Sequence, residues 1–340
     1  MINILDNFKN LELEIKNFKP DILVFCIDFD GTLTKIYKSP FDAVLENNYK
    51  KIIERIINIE NVFFCIVTGR EISDIIKIVS IDGNIIYSGN HGFEIKSFYK
   101  KIILDFIYDG LKNYLPVLKS IFDKASQIPI KNLIIENKKY SISLHYRILP
   151  HEDIKLLKDA VASIMDSNAG YKRMFELKKG KKIIEIRPKI QWNKGKACDF
   201  IVKELIVQLS CNLTYNSNKR SNKQLDTNIN NNINNNVSSD NNANTESKKG
   251  MRNILKICMG DDLTDETMFD RGDKYSFWFN PNLGLNSDLE LNLNSDFKKI
   301  NVKSINCIIG EKKSAADYYI HNFRQTYEVL ENIANCFVNL

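Results

Sequence analysis

Asp28 and Asp30 stand one residue apart, directly after an apolar run from Ile22 to Ile27. Carboxylates this close repel, and burial raises the cost. Such a pair calls for a cation, or for one carboxyl that keeps its proton. A second acidic group, "GDDLTDE" from Gly260 to Glu266, follows another apolar run and adds four acidic residues. A polar turn or a helix cap uses one or two carboxylates. It does not require two clusters at matching strand ends. A calcium loop fits poorly, because Gly31 comes directly after Asp30 and the preceding element reads as a strand. Two acidic clusters brought together favour a hard cation with oxygen ligands, Mg2+ rather than Zn2+. The four histidines, His91, His145, His151 and His321, show no zinc spacing. A divalent ion beside a carboxylate points to phosphoryl transfer, in which the carboxylate attacks phosphorus and forms an aspartyl-phosphate. No Gly-x-x-x-x-Gly-Lys-Ser/Thr loop occurs, so hydrolysis is favoured over nucleotide-driven chemistry.

The elements that must position these residues are short apolar runs alternating with helical patterns. The candidate strands are Ile22–Ile27, Val62–Val67, Ile85–Ser88, Ile254–Met259, Tyr275–Phe279 and Ile305–Ile309. Helical spacing in "FDAVLENNYKKIIERIINI" and "GREISDIIKIV" separates the first three. The pattern predicts an α/β fold, a doubly wound and mostly parallel sheet whose ligands sit at the carboxyl ends of the strands. Asp28, Thr68, Asn90 and Asp261 all fall just past a predicted strand end. The middle of the chain differs. It reads as helix, strand, strand, helix, strand, strand, with hairpins about Asn137–Lys139 and Gly180. This predicts an inserted α+β cap over residues 109–187, with the catalytic core formed by 1–108 and 188–340. Residues 210–249 collapse to Asn, Ser, Lys and Asp and read as a disordered insert, and 280–299 as a low-complexity loop.

Bulk properties exclude several classes. Among 340 residues, 44% are hydrophobic and 26% charged, which is ordinary for a globular chain, and no run is long enough to span a bilayer. The net charge of +6 is spread rather than gathered, so nucleic-acid binding is not indicated, whereas an anionic substrate is welcome. Seven cysteines without a Cys-x-x-Cys pair fit a reducing compartment, and the charged, amphipathic N-terminus is unlike a secretion signal. The expectation is a cytoplasmic enzyme with no membrane partner.

"DFDGTLT", "VTGR" and "GDDLTDE" resemble the haloacid dehalogenase superfamily of aspartate-nucleophile phosphatases. "GNHGFEI", "IENKKYSISLHYR", "IEIRPKIQWNKGKA" and "GDDLTDETMF" resemble, in the same order, the trehalose-6-phosphate phosphatase family within it. The resemblance implies Mg2+-dependent hydrolysis of trehalose 6-phosphate to trehalose and phosphate on a core of that superfamily's kind. It implies Asp28 as nucleophile and Asp30 as the acid that protonates the departing sugar oxygen and then activates water. For that work the Asp30 pKa should lie near working pH, raised by its neighbour and by partial burial. It further implies Asp28, the Asp30 carbonyl and Asp261 around the metal. Asp262 and Asp265 remain open between ligand and supporting roles. Thr68 and Lys194 would hold the phosphoryl group. Arg70, Asn90, His91, Glu136, Lys138, Arg147, Lys181 and Glu185 would face the substrate. Glu136 and Lys138 are two apart and share a strand face, as Lys181 and Glu185, four apart, would on another. Alternatives are a phosphatase of another sugar, such as sucrose 6-phosphate, or a silent regulatory module. No synthase domain is recognised, so a trehalose-6-phosphate synthase partner would act in trans.

Overall fold

In the computed structural model the described residues are 1–180, 182–210, 253–269, 274–280, 284–286 and 298–340, with backbone alone for 274–280, 284–286 and 298. The expected insert at 210–249, apart from Ser210, and most of the 280–299 loop therefore lie outside the described residues.

Two sheets organise the chain. The larger contains β1 (Ile2–Asn3), β2 (Ile22–Ile27), β3 (Val62–Val67), β4 (Ile86–Gly89), β5 (Glu94–Ser97) and β6 (Asp105–Ile107). The smaller contains β7 (Ile134–Asn137), β8 (Ile142–His145), β9 (Phe175–Gly180) and β10 (Ile183–Pro188). The chain then returns to the larger sheet through β11 (Asn253–Gly260), β12 (Lys274–Asn280), β13 (Gly284–Asn286), β14 (Lys298–Ile309) and β15 (Tyr318–Ile320). The strand order in the larger sheet is β1-β15-β14-β11-β2-β3-β4-β5-β6. Pairing is parallel from β1 through to β4 and antiparallel from β4 to β6. β12, predicted as one more strand of a parallel pattern, runs antiparallel to the first half of β14. A short apolar run carries no direction of its own.

The central strands are buried on both faces, which is why they read as unbroken apolar runs. Successive side chains point to opposite faces. Leu23, Phe25 and Ile27 pack with Phe64, Ile66, Leu255 and Ile257. That face lies under α1 (Phe8–Phe18), α2 (Asn47–Ile56), α3 (Ile72–Val79) and α9 (Phe323–Val338), each of which contributes buried residues. Val24, Cys26, Cys65 and Val67 turn to the other face, against Ala197, Cys198, Ile201 and Leu205 of a helix over residues 194–210, here α7. The six described cysteines are free and buried, behaving as small apolar side chains. No described helix is long and apolar enough to cross a membrane.

The smaller sheet is antiparallel in the order β7-β8-β10-β9. Leu118, Ile121, Leu157, Val161 and Met165 pack beside its Ile142, Leu144, Ile184 and Ile186 as a separate apolar cluster. These come from α4 (Leu115–Ala125) and α5 (His151–Asp166). The sequence pattern anticipates this order except for a short α6 (Ala169–Met174). That turn of helix starts where the Asn168 side chain accepts the Gly170 N–H at 2.7 Å, a local cap in what reads as the start of a hairpin. The last helix of the core's strand–helix return, α8 (Glu266–Phe269), follows β11.

Candidate active site

Four adjacent parallel strands, β11, β2, β3 and β4, end at one edge of the larger sheet. Asp261, Asp28, Thr68 and Asn90 follow their last residues or lie one step beyond. Backbone pairing continues one residue past two of these strands, with Asp28 N–H donating to Met259 O at 2.9 Å and Thr68 N–H to Ser88 O at 2.9 Å. Asp28 therefore leaves the sheet at a fixed angle. The turn after it is tight, with Leu33 N–H donating to Phe29 O at 2.9 Å and the Thr32 hydroxyl reaching Asp28 Oδ2 at 3.2 Å. Gly31 has φ +92°, and a Cβ there would lie 2.0 Å from Asp261 Oδ2. The Asp261 carboxylate thus occupies the space that a side chain at position 31 would need.

The carboxylates of Asp28, Asp261 and Asp265 are all buried, with one oxygen of each within 4.8 Å of the others. Lys194, at the start of α7, lies between two of them. Its Nζ donates to Asp28 Oδ1 at 2.6 Å and to Asp265 Oδ1 at 2.7 Å. Gly195 lets the helix end approach, since a Cβ there would meet Thr267 O at 1.8 Å. Burial, then Asp265, push the Asp28 carboxyl well above the ordinary carboxylate range, with Lys194 opposing. Burial also pushes Asp265 up. Burial disfavours the Lys194 charge, but Asp265 and Asp28 outweigh it and hold the ammonium well above its usual value.

Asp262 and Asp265 have different partners. Asp265 Oδ2 accepts the N–H groups of Asp261 and Asp262 at 2.8 and 3.0 Å while Oδ1 holds Lys194, so this carboxylate braces the loop that presents Asp261. Asp262 Oδ1 accepts the Thr264 N–H and hydroxyl at 2.8 and 2.7 Å. Asp262 is not one of the three carboxylates that converge. Burial works against its charge, yet Lys194 and the Thr264 donors hold its carboxyl below the ordinary value.

Asp30 is partly buried, as expected, its side chain keeping 37% of its exposure. Both its oxygens face Arg70, with Nε to Oδ2 at 2.7 Å and Nη2 to Oδ1 at 2.8 Å. Arg70, expected to face the substrate, gives Nη1 to Asp74 and to the Pro40 carbonyl, each at 3.0 Å. Although it borders the cleft, its guanidinium is a clamp on Asp30. Burial disfavours its charge, but Asp30 and Asp74 hold it above the ordinary arginine value. Thr68 borders the cleft, and its hydroxyl accepts the Arg70 N–H at 3.2 Å.

The smaller sheet lies across the cleft. Glu136, Lys138, Arg147 and Glu185 all border it, facing Asp28, Asp30, Lys194 and Asp261 on the core side. Register explains their convergence, because Glu136 and Glu185 both pair with Ser143 on the central strand β8. Glu136 Oε2 contacts His145 Nε2 at 2.9 Å and Lys138 Nζ at 3.8 Å. Burial opposes the Glu136 charge, but Lys138 and His145 draw its carboxyl below the ordinary value. Glu185 crosses to the core, where His91 Nε2 lies 3.0 Å from Oε2, and it accepts the Ser141 hydroxyl at 3.2 Å. Burial opposes the Glu185 charge, but His91, together with Lys138 and Arg187, holds its carboxyl below the ordinary range.

Asn90, expected to line the site, does not border the cleft. Its φ of +50° turns the chain so that Nδ2 points to Glu94 Oε2, 3.3 Å away, while the next residue, His91, faces the cleft. Lys181 lies outside the described residues. Sequence reasoning missed Ser143 and His145, which border the cleft with Arg147. Alternation along "SISLHYR" was signal enough for two of these, since residues 143 and 145 share a face of β8, and Arg147 follows in the turn beyond it. It also missed the segment from Ile36 to Pro40, which borders the cleft without any motif of its own.

A probable trehalose-phosphate phosphatase D of Arabidopsis thaliana is 30% identical over 194 residues, 54% of this chain and 50% of that protein. A trehalose-phosphate phosphatase of Mycobacterium leprae is 26% identical over 251 residues, 72% of this chain and 46% of that one. The chain thus spans about half the length of the curated relatives it matches. Among solved structures, the C-terminal domain of a Candida albicans trehalose-6-phosphate phosphatase superposes with a TM-score of 0.59 at 20% identity, covering 96% of this chain and 97% of that one, a likeness of fold. The trehalose-phosphatase family model matches residues 26–320, from the strand that carries Asp28 to the last strand of the sheet, and the chain belongs to that family.

Proposed function

We propose that this protein is a Mg2+-dependent phosphatase that hydrolyses trehalose 6-phosphate to trehalose and inorganic phosphate through an aspartyl-phosphate. The observation that carries the reading is one cleft with two unlike walls. One wall holds Asp28, Asp261 and Lys194, groups suited to a phosphoryl centre, and the other holds Glu136, Lys138 and Glu185, groups suited to sugar hydroxyls. The donor set also fits the metal. Three buried carboxylates converge, with Lys194 Nζ on Asp28 and Asp265 and Lys312 Nζ on the Asp261 carbonyl, and they offer oxygen atoms of the kind that Mg2+ prefers. Asp28 and Asp261 would hold the ion together with the Asp30 carbonyl, and Asp265 would brace them. When bound, the ion would supply charge neutralisation at the phosphoryl oxygens.

In this reading Asp28 forms a bond to phosphorus as the bond from phosphorus to the sugar oxygen breaks. Lys194 and the Thr68 hydroxyl hold the phosphoryl oxygens, and donors already in place stabilise charge there without a cost of reorganisation. Asp30 gives its proton to the leaving sugar oxygen, then takes one from the water that attacks the aspartyl-phosphate, releasing phosphate and restoring Asp28. Asp30 must leave the two-pronged grip of Arg70 to do so, which makes Arg70 its resting partner. Residues 109–187 would act as the cap that reads the sugar and excludes bulk water.

The test is phosphate release from trehalose 6-phosphate, sucrose 6-phosphate and glucose 6-phosphate, with and without Mg2+. Preferred turnover of trehalose 6-phosphate is expected, and Asp28→Asn should lower kcat by about 1000-fold or more. Preference for another sugar phosphate, or an Asp28→Asn variant as fast as the parent, would overturn the reading.

A further inference from the structure

We propose that Glu94 is a positioning residue that ties the sugar-facing hairpin of the smaller sheet to the core wall of the cleft, an inference that rests on the phosphatase reading. Glu94 opens β5 and is 7% exposed. Its Oε1 accepts Lys139 Nζ at 2.5 Å, and its Oε2 accepts Asn90 Nδ2 at 3.3 Å. The two donors come from opposite walls. Lys139 lies in the turn between β7 and β8, next to Lys138, and Asn90 lies just past β4, next to His91. Lys138 and His91 both border the cleft, whereas Glu94, Lys139 and Asn90 do not. One buried carboxylate therefore bridges the neighbours of two cleft residues without reaching the cleft itself.

The backbone makes that bridge consequential. Lys139 has φ +61° and Asn90 φ +50°, a region that non-glycine residues enter at a cost. A turn in such a conformation needs its surroundings to hold it. A cation–π contact runs beside the ionic one, with the Lys139 ammonium 4.9 Å from the Tyr140 ring centroid, and that ring meets Phe93 edge-on at 6.5 Å. Burying a carboxylate costs free energy unless it is paired, so its place here is explained by the two donors it joins. Losing either should let the Lys138 and His91 side chains drift relative to each other. A sugar phosphate that touches both walls would feel this, and a small aryl phosphate held by the core alone would feel it far less.

The experiment compares the full chain with Lys139→Met, Lys139→Arg and Glu94→Gln in Mg2+, using trehalose 6-phosphate and p-nitrophenyl phosphate. The measured quantity is the ratio of the two kcat/KM values. Lys139→Met and Glu94→Gln should lower it about five- to tenfold, mainly through the KM of the sugar phosphate, and Lys139→Arg should restore most of it. Lys139 has a 45% exposed side chain, so Lys139→Met decides the matter if Glu94→Gln fails to fold. A ratio within about twofold of the parent in Lys139→Met, or equal losses on both substrates, overturns the inference while leaving the phosphatase reading intact. A parent that prefers another sugar phosphate refutes the trehalose reading, and the ratio is then taken with that substrate. A parent that hydrolyses no sugar phosphate refutes both.

Discussion

Lys194→Met should destabilise the metal-free protein strongly, and more so as pH rises. Lys194 is 3% exposed and touches Asp28 and Asp265 at 2.6 and 2.7 Å, while Asp261 lies close by. At an effective dielectric of about 20, each contact supplies about 6 kcal/mol of attraction. Most of that is offset by taking four charges out of water, and removal of one partner from a buried pair typically leaves a net loss of about 3–5 kcal/mol. The pH dependence follows from the direction of the shifts. Asp28 and Asp265 already lie above the ordinary carboxyl value with Lys194 present, chiefly through burial, and removing the ammonium pushes them further. A carboxyl raised in the folded state binds its proton more tightly there than in the unfolded chain. Its stabilising contribution is complete below the unfolded value and is lost as pH rises through the folded one. The variant's deficit should therefore be smallest near pH 4–5, close to the ordinary carboxyl values, and larger at pH 8. Urea denaturation of parent and variant in chelator, across that range, measures it. A deficit under about 1 kcal/mol at pH 8, or one that is the same at both ends, would refute the charge accounting.

Three further outcomes are expected. Gly31→Ala should lower kcat by about tenfold or more, since its Cβ would fall 2.0 Å from Asp261 Oδ2 at a φ of +92° and must displace that carboxylate; steady-state kinetics with unchanged kcat would count against the close approach. Glu185→Gln should be less stable than the parent by about 1–3 kcal/mol at pH 7. Because His91 holds Glu185 below the ordinary value, that stabilisation is present above about pH 4.3 and lost as pH falls below it, so thermal melts of the two proteins should converge in acid. Chelation should abolish phosphate release and Mg2+ should restore it, while Ca2+, larger and more loosely coordinated, should restore less; full activity in chelator would remove the metal from the mechanism.

The catalytic edge was legible for a physical reason. Strands covered on both faces must be apolar throughout, so Ile22–Ile27 and Val62–Val67 announce themselves, and the first polar residue after each marks the carboxyl end of the sheet. Local spacing also revealed the hairpins of the smaller sheet; Glu136 on β7 and Lys138 just past its end both border the cleft. It did not reveal α6, whose start depends on one side-chain cap, or the antiparallel direction of β12, which depends on its pairing with β14.

By itself the sequence determined where acidic groups leave buried strands, and hence that they must gather at one edge. Only the tertiary structure decided how each charge is shared. Lys194 meets Asp28 across 166 positions, Arg70 takes Asp30 away from its sequence neighbour, and the left-handed turn at Asn90 gives the cleft to His91 instead. Apolar periodicity is a property of a few adjacent residues. The partner of a given oxygen depends on strand register, helix approach and loop dihedrals summed over distant parts of the chain.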